Sequence, residues 1–187
     1  MSGLLVGIII VVVVGAIALF VISQFNRLRR LDVQAQGAWA GVDTLLAKRA
    51  DLVPNLVETV KGAADFERGT MEDVTTARAR AAGATTVAEK AAADGELTQA
   101  LGRLFAVAEA YPQLTATAGF RDLQGQLTQV EGELQFARQY YNDSVVTLNT
   151  ALRTIPSMWF AGMAGVHERE MYAEADSGRR AAPTVDF

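Results

Sequence analysis

FRDLQGQLTQVEGELQFARQYYNDSVVTLNTAL, residues 120–152, is the stretch on which the fold turns. Phe120, Leu123, Leu127, Val130, Leu134, Ala137, Tyr141, Leu148 and Ala151 fall on one heptad register, with Val145 and Leu152 beside it. No proline interrupts the pattern, and a period of 3.5 predicts left-handed packing against at least one partner helix. A helix of about 36 residues is roughly 54 Å long. That is more than a domain of this size needs to cover itself, so the surplus apolar edge predicts burial against a second copy of the chain.

The partner helix is legible upstream. Leu28, Leu31, Ala35, Ala38, Val42, Leu45 and Leu52 keep the alternating three-four spacing, and Trp39, Leu46 and Val53 widen the stripe to that of a bundle helix. Pro54 removes a backbone donor and crowds the preceding turn, which predicts a kink or a fresh helix start near Asp51 to Pro54. Leu56, Val57, Val60 and Ala64 continue the apolar face to about Phe66. Arg68-Gly69-Thr70 reads as a turn, with Thr70 and Asp73 spaced as a capping box. Gly83 to Thr86 breaks the middle region, and the alanine-rich stretch around it predicts its most mobile connection. A helix then starts near Thr86 and carries Leu97, Leu101, Leu104, Phe105 and Ala108 to a stop at Tyr111-Pro112. Ile155-Pro156 ends the long helix. Met158 to Met163 is an apolar coda too short to span a bilayer, and residues 171–187 read as a polar, flexible tail.

At the other end lies LLVGIIIVVVVGAIALFVI, Leu4 to Ile22, nineteen residues without a charge. As a helix this run is roughly 28 Å long, the thickness of a hydrocarbon core. Arg27, Arg29 and Arg30 come directly after it, so the positive-inside rule predicts an outside N-terminus and a cytoplasmic remainder. A cleaved signal would need a basic n-region and a small-x-small site, and Gln24-Phe25-Asn26 stands where cleavage would fall. Gly3, Gly7 and Gly15 have the spacing of close helix contacts, although glycine is common in membrane helices generally. With no linker between Ile22 and Leu28, the membrane helix should run unbroken into the next one as a rigid stalk. The predicted fold class is all-α: an N-terminal transmembrane helix continuous with a cytoplasmic antiparallel bundle of about four helices, two of them long. The expected division is a membrane helix over 1–26, a bundle over 27–170 and the tail.

Composition narrows the chemistry. The 187 residues include no cysteine and one histidine, with a formal net charge of −4. A nucleic-acid role would want a basic face, and none is visible. Without cysteine there is no disulfide or thiolate chemistry, and a single imidazole, His167, excludes paired-histidine metal sites. No GxSxG, P-loop or GxGxxG occurs. Glu131 and Glu133, two apart on one helix, point in different directions and cannot work as an acid–base pair. No catalytic, metal or cofactor-binding residue is predicted.

Lys48-Arg49-Ala50-Asp51-Leu52-Val53-Pro54-Asn55-Leu56-Val57-Glu58-Thr59-Val60 and Glu109-Ala110-Tyr111-Pro112 resemble signatures of the LemA family of bacterial membrane proteins. Arg138-Gln139-Tyr140-Tyr141-Asn142, followed by Asn149 and Pro156, resembles it as well. The resemblance runs from the membrane helix to about residue 170. It implies a single N-terminal membrane helix, N-outside, in the bacterial cell membrane, with a cytoplasmic helical domain. A magnetosome-associated member of that family points towards membrane organisation. Val166 to Tyr172 departs from the Phe-rich ending that the family would imply.

These phrases contain the candidate structural or interface positions: Arg49, Asp51, Pro54, Asn55, Glu58, Glu109, Tyr111, Pro112, Arg138, Tyr140, Tyr141 and Asn142. Arg49 stands at a heptad position that is normally apolar, and a buried arginine needs a carboxylate. Arg49 and Arg138 are therefore expected in polar networks with acids such as Asp51 or Glu109. Tyr141 lies on the seam as a core ring, while Tyr140 is turned to a flank where it could serve an interface. Trp159 and Phe160 either cap the bundle or dip into the bilayer interface. The expected function is a non-enzymatic, membrane-anchored scaffold that self-associates. Its expected partners are the bilayer and further copies of the chain. The alternative is an adaptor docking a membrane enzyme, protease or signalling protein.

Overall fold

The computed structural model describes residues 2–61 and 68–173. Within them the chain is all-α. Helix α1 spans Ser2–Lys61, α2 Arg68–Gly83, α3 Val87–Ala108, α4 Pro112–Thr115 and α5 Ala118–Arg153. A 3-10 turn, Ser157–Phe160, and the single turn α6, Ala161–Ala164, complete the order. Most of the seam read from the sequence is buried, with Leu31, Leu45 and Leu52 of α1 and Ala137 of α5 half-buried. Leu28, Ala35, Ala38, Val42 and Val53 of α1 are buried, as are Phe120, Leu123, Leu127, Val130, Leu134, Tyr141, Val145, Leu148 and Ala151 of α5.

Helix α1 contains an eighteen-residue window of mean hydropathy 3.4 with none of it buried, long and apolar enough to cross a membrane. The helix then continues, as expected, without a break past the arginines. It also continues past Pro54, and here the expectation of a fresh start is corrected. Proline lacks the N–H that would bond the carbonyl four residues earlier, which is that of Ala50. The side chain of Arg78 from α2 takes its place, Nε donating to the Ala50 carbonyl at 3.0 Å. A tertiary donor thus repairs the local defect, and the helix needs no restart.

Two compact units can be drawn in the chain. One comprises residues 1–38 and 141–169. Its core joins Leu28 and Ala35 of α1 to Leu148 and Ala151 of α5, with Ala164 and Val166. The other comprises residues 39–140 and 170–187. Its core takes Val53, Leu56 and Val60 from α1, Val74 and Ala77 from α2, and Leu97, Leu101 and Leu104 from α3. Leu114 and then Phe120, Leu123 and Leu127 of α5 complete it, with Phe105 and Phe120 edge to face at 6.0 Å. Burying such side chains contributes about 1.5–3 kcal/mol each.

Starts and stops obey local chemistry. Thr86 caps α3 in a full capping box: its hydroxyl accepts from the Glu89 N–H at 3.2 Å, and Glu89 Oε2 accepts from the Thr86 N–H at 3.0 Å. Pro112 opens α4 at a position where its missing donor costs nothing. Arg68-Gly69-Thr70, read as a turn, is instead the first turn of α2. Ala64 and Phe66 lie outside the described residues. Tyr172, in the stretch read as a flexible tail, is buried, 4% exposed. Its hydroxyl reaches an acid that sequence periodicity alone did not assign to it.

Two outcomes are expected. Arg78→Met lowers thermal stability by about 1–2 kcal/mol, the cost of an orphaned buried acceptor. In a Pro54→Ala background the same change costs less, since residue 54 then donates to Ala50 itself; circular-dichroism melts of the four variants test this. The Thr86 and Thr85 amide donors hold the Glu89 carboxyl down from 4.5 to about 2. Its stabilisation is complete above 4.5 and is lost as pH falls towards 2. The melting-temperature gap between the natural chain and Glu89→Gln therefore closes across that window.

Candidate functional site

A charge at a seam position has to be answered from the facing helix. Arg49, on α1, is 5% exposed, and Arg138, on α5, is 8% exposed. Both converge on Asp94 of α3, itself 5% exposed. Arg49 Nη1 donates to Asp94 Oδ1 at 2.6 Å and to Thr98 Oγ1 at 2.9 Å. Arg138 Nη2 donates to Asp94 Oδ2, and the Tyr172 hydroxyl donates to the same oxygen at 2.8 Å. Glu131 of α5 closes the group, with Oε2 2.9 Å from Arg49 Nη2 and Oε1 3.3 Å from Arg138 Nη1. Two guanidinium groups and two carboxylates leave the cluster neutral, which makes its burial tolerable.

An aromatic stack covers one side. The Arg138 guanidinium lies 5.3 Å from the centre of the Tyr172 ring, and that ring is 6.4 Å from Trp39. Lys90 Nζ stands 5.9 Å from the far partner, Trp39, while also pairing with Asp43. Burial, and then the Asp94 charge beside it, push the Tyr172 phenol well above the ordinary tyrosine range. It therefore stays a proton donor to Asp94 throughout the physiological range.

The expected acids were the wrong ones. Asp51 and Glu109 are exposed, and the partners are Asp94 and Glu131. Position on a helix says that a side chain points inward but not which helix it meets. The missed signal was available, since Asp94 precedes Leu97, Leu101, Leu104 and Ala108 on their own three-four spacing. Glu131 and Glu133 do diverge, the latter taking Gln129 at 2.7 Å and Lys48 at 3.4 Å. Of the remaining candidates, Pro54, Asn55, Glu58 and Pro112 are exposed, Tyr111 packs on the core edge, and Asn142 is half-buried. Tyr141 is a core ring at 2% exposure, and Tyr140 is 54% exposed.

Beside the cluster is a cavity of about 250 Å³. Alanines 81, 82 and 84 wall it, and Asp43, Asp51, Lys90 and Asp94 border it, with Arg78 turned to the Ala50 carbonyl. This is below the roughly 300–1,000 Å³ of ordinary small-molecule sites. Among the described residues, the guanidinium and carboxylate groups of the cluster are engaged with one another. No group of three metal-ligating side chains converges among the described residues.

The LemA family model matches residues 38–187, a span that contains every member of the charge cluster. Magnetosome proteins MamQ 1 and MamQ 2 of Paramagnetospirillum magneticum and magnetosome protein MamQ of Magnetospirillum gryphiswaldense are similar to part of the chain. Each is 30% identical over 86 residues, which is 46% of this chain and 32% of the relative. The chain thus spans about a third of the length of these curated relatives.

Asp94→Asn, which leaves two buried arginines facing a neutral amide, is expected to cost about 3–5 kcal/mol in a thermal melt. The fourfold replacement Arg49→Met, Asp94→Leu, Glu131→Gln, Arg138→Met, which leaves no member of the cluster charged, should recover most of that loss. Recovery would mark the cluster as structural; a fourfold variant no more stable than Asp94→Asn would count against this account.

Proposed function

The chain belongs to the LemA family, and from that premise we propose that it is a non-enzymatic helical scaffold, anchored in the cell membrane by α1, that self-associates through α5. Arg27, Arg29 and Arg30 after the apolar run favour a cytoplasmic position for the rest of the chain. The observation that carries self-association is an aromatic pair one turn apart on α5, Phe136 at 77% and Tyr140 at 54% exposure. Residues three or four apart share a helix face, and α5 buries its apolar seam elsewhere. Exposed aromatic pairs on an otherwise polar helix mark contact surfaces. The non-enzymatic reading is supported by the charge cluster, whose ionised groups serve one another. The similarity to proteins named for the magnetosome, together with the apolar run of α1, supports a role in membrane organisation.

The mass of the full-length chain in nanodiscs, with particles imaged from the same sample, tests this. Uniform particles of several copies are expected, and Phe136→Glu with Tyr140→Glu should reduce them to single copies without changing helix content. A monomeric natural chain would overturn self-association and leave the aromatic pair to an adaptor role towards another membrane protein.

A further inference from the structure

Residues 154–166, between Arg153 and His167, carry no charge over thirteen positions. The run is closed at its ends by one ion pair, Arg153 Nε and Nη2 donating to Glu168 Oε1 and Oε2 at 2.7 and 2.6 Å. Inside this loop four large apolar side chains remain exposed within nine residues: Ile155 at 66%, Met158 at 44%, Trp159 at 66% and Met163 at 67%. Packing accounts for the others. Ala164 and Val166 enter the core with Leu28 and Leu148, and Phe160 packs at its edge.

The groups opposite the loop decide what covers the exposed four. Phe160 meets Phe20 of α1 edge to face, with ring centres 6.3 Å apart. The Ser157 hydroxyl donates to Gln24 Oε1 at 3.1 Å and accepts from Arg27 Nη1 at 3.2 Å. Phe20 belongs to the apolar run that ends at Ile22. At 1.5 Å per residue, Gln24 lies about 3 Å beyond that end and Arg27 about 8 Å beyond it. These contacts set the loop at the depth where acyl chains give way to headgroups, a layer several ångströms thick on each side of a bilayer.

We propose that the loop over residues 154–166 is a second membrane anchor, with Trp159, Met158 and Met163 seated in the lipid interface beside the exit of α1. Tryptophan is favoured at this layer because its ring is apolar and its N–H reaches water or headgroups. Interfacial elements bury their apolar side about 5–10 Å into the headgroup boundary, and the loop presents no charge that would have to be desolvated there. Arg27, Arg29 and Arg30 stand at phosphate level on the adjoining turn and are attracted to anionic lipid. Water would leave four apolar groups hydrated. The bilayer is already present at this depth once α1 spans it.

This inference rests on the proposal that α1 crosses the membrane, and the experiment separates the two. The full-length chain with Trp39→Phe keeps Trp159 as its one tryptophan and is reconstituted into vesicles of lipids brominated near the headgroup or near the chain end. The natural chain and Trp159→Phe, compared by difference, give the same signal should Trp39→Phe disturb the fold. Co-flotation with the vesicles reports insertion of α1. The expected result is flotation, a blue-shifted Trp159 emission, and loss of most of it to the shallow bromines and less to the deep ones, at every lipid-to-protein ratio. Flotation with quenching by aqueous acrylamide alone would place Trp159 in water and overturn the proposal. Flotation with shielding from both quenchers would mean that another copy of the chain covers it, and would overturn it too. A chain that does not float would refute the spanning reading of α1, and the loop anchor with it.

Discussion

A carboxylate held between two buried guanidinium groups has nowhere cheaper to go. Asp94 accepts from Arg49, Arg138 and Tyr172, so one side chain on α3 ties together α1, α5 and the segment after residue 169. Each arginine would carry a large desolvation cost if left alone, and so would the aspartate. The net contribution of the pairing to stability is small or even unfavourable against an apolar core. Its consequence lies in the alternatives it excludes, because every arrangement that separates these groups strands a charge.

Pro54 obeys the same logic at smaller scale. A helix 60 residues long tolerates a missing donor because Arg78 supplies one from the neighbouring helix. The carbonyl of Ala50 is thus satisfied by tertiary structure, and α2 is held against α1 where the cavity between them is walled by alanines. In both places an arginine answers a need created on another helix, once with its charge and once with a single N–H.

Much of this architecture was legible in the sequence. The seams of α1 and α5, the Thr86 start and the Pro112 stop all come from interactions within a few residues of one another, which periodicity and capping chemistry report directly. Arg49 was recognisable as an inward charge for the same reason. Its partner was not, because the choice between Asp51, Glu109 and Asp94 depends on which helices face one another. The fresh helix start expected at Pro54 failed for a related cause: the local rule sees a lost donor, and only the folded chain provides the substitute. Tyr172 lies in a stretch with little apolar content, so its docking onto Asp94 is a long-range event that no local pattern announces.

A repetitive seam leaves one problem unsolved, and the charge cluster answers it. Leucine, valine and alanine recur every three or four residues along α1 and α5, so apolar burial alone is nearly unchanged when one helix slides by a heptad against its neighbours. Such a slide would bring Val42 or Leu56 to the level of Asp94 in place of Arg49. The displaced aspartate would then be short of a charged donor in an apolar layer, a defect of about 3–5 kcal/mol. That exceeds what a single seam contact supplies. Polar residues at isolated seam positions fix register in helical assemblies in this way. The cluster at Arg49, Asp94 and Arg138 therefore sets the axial level at which α5 stands against its neighbours, and with it the level of the exposed Phe136 and Tyr140.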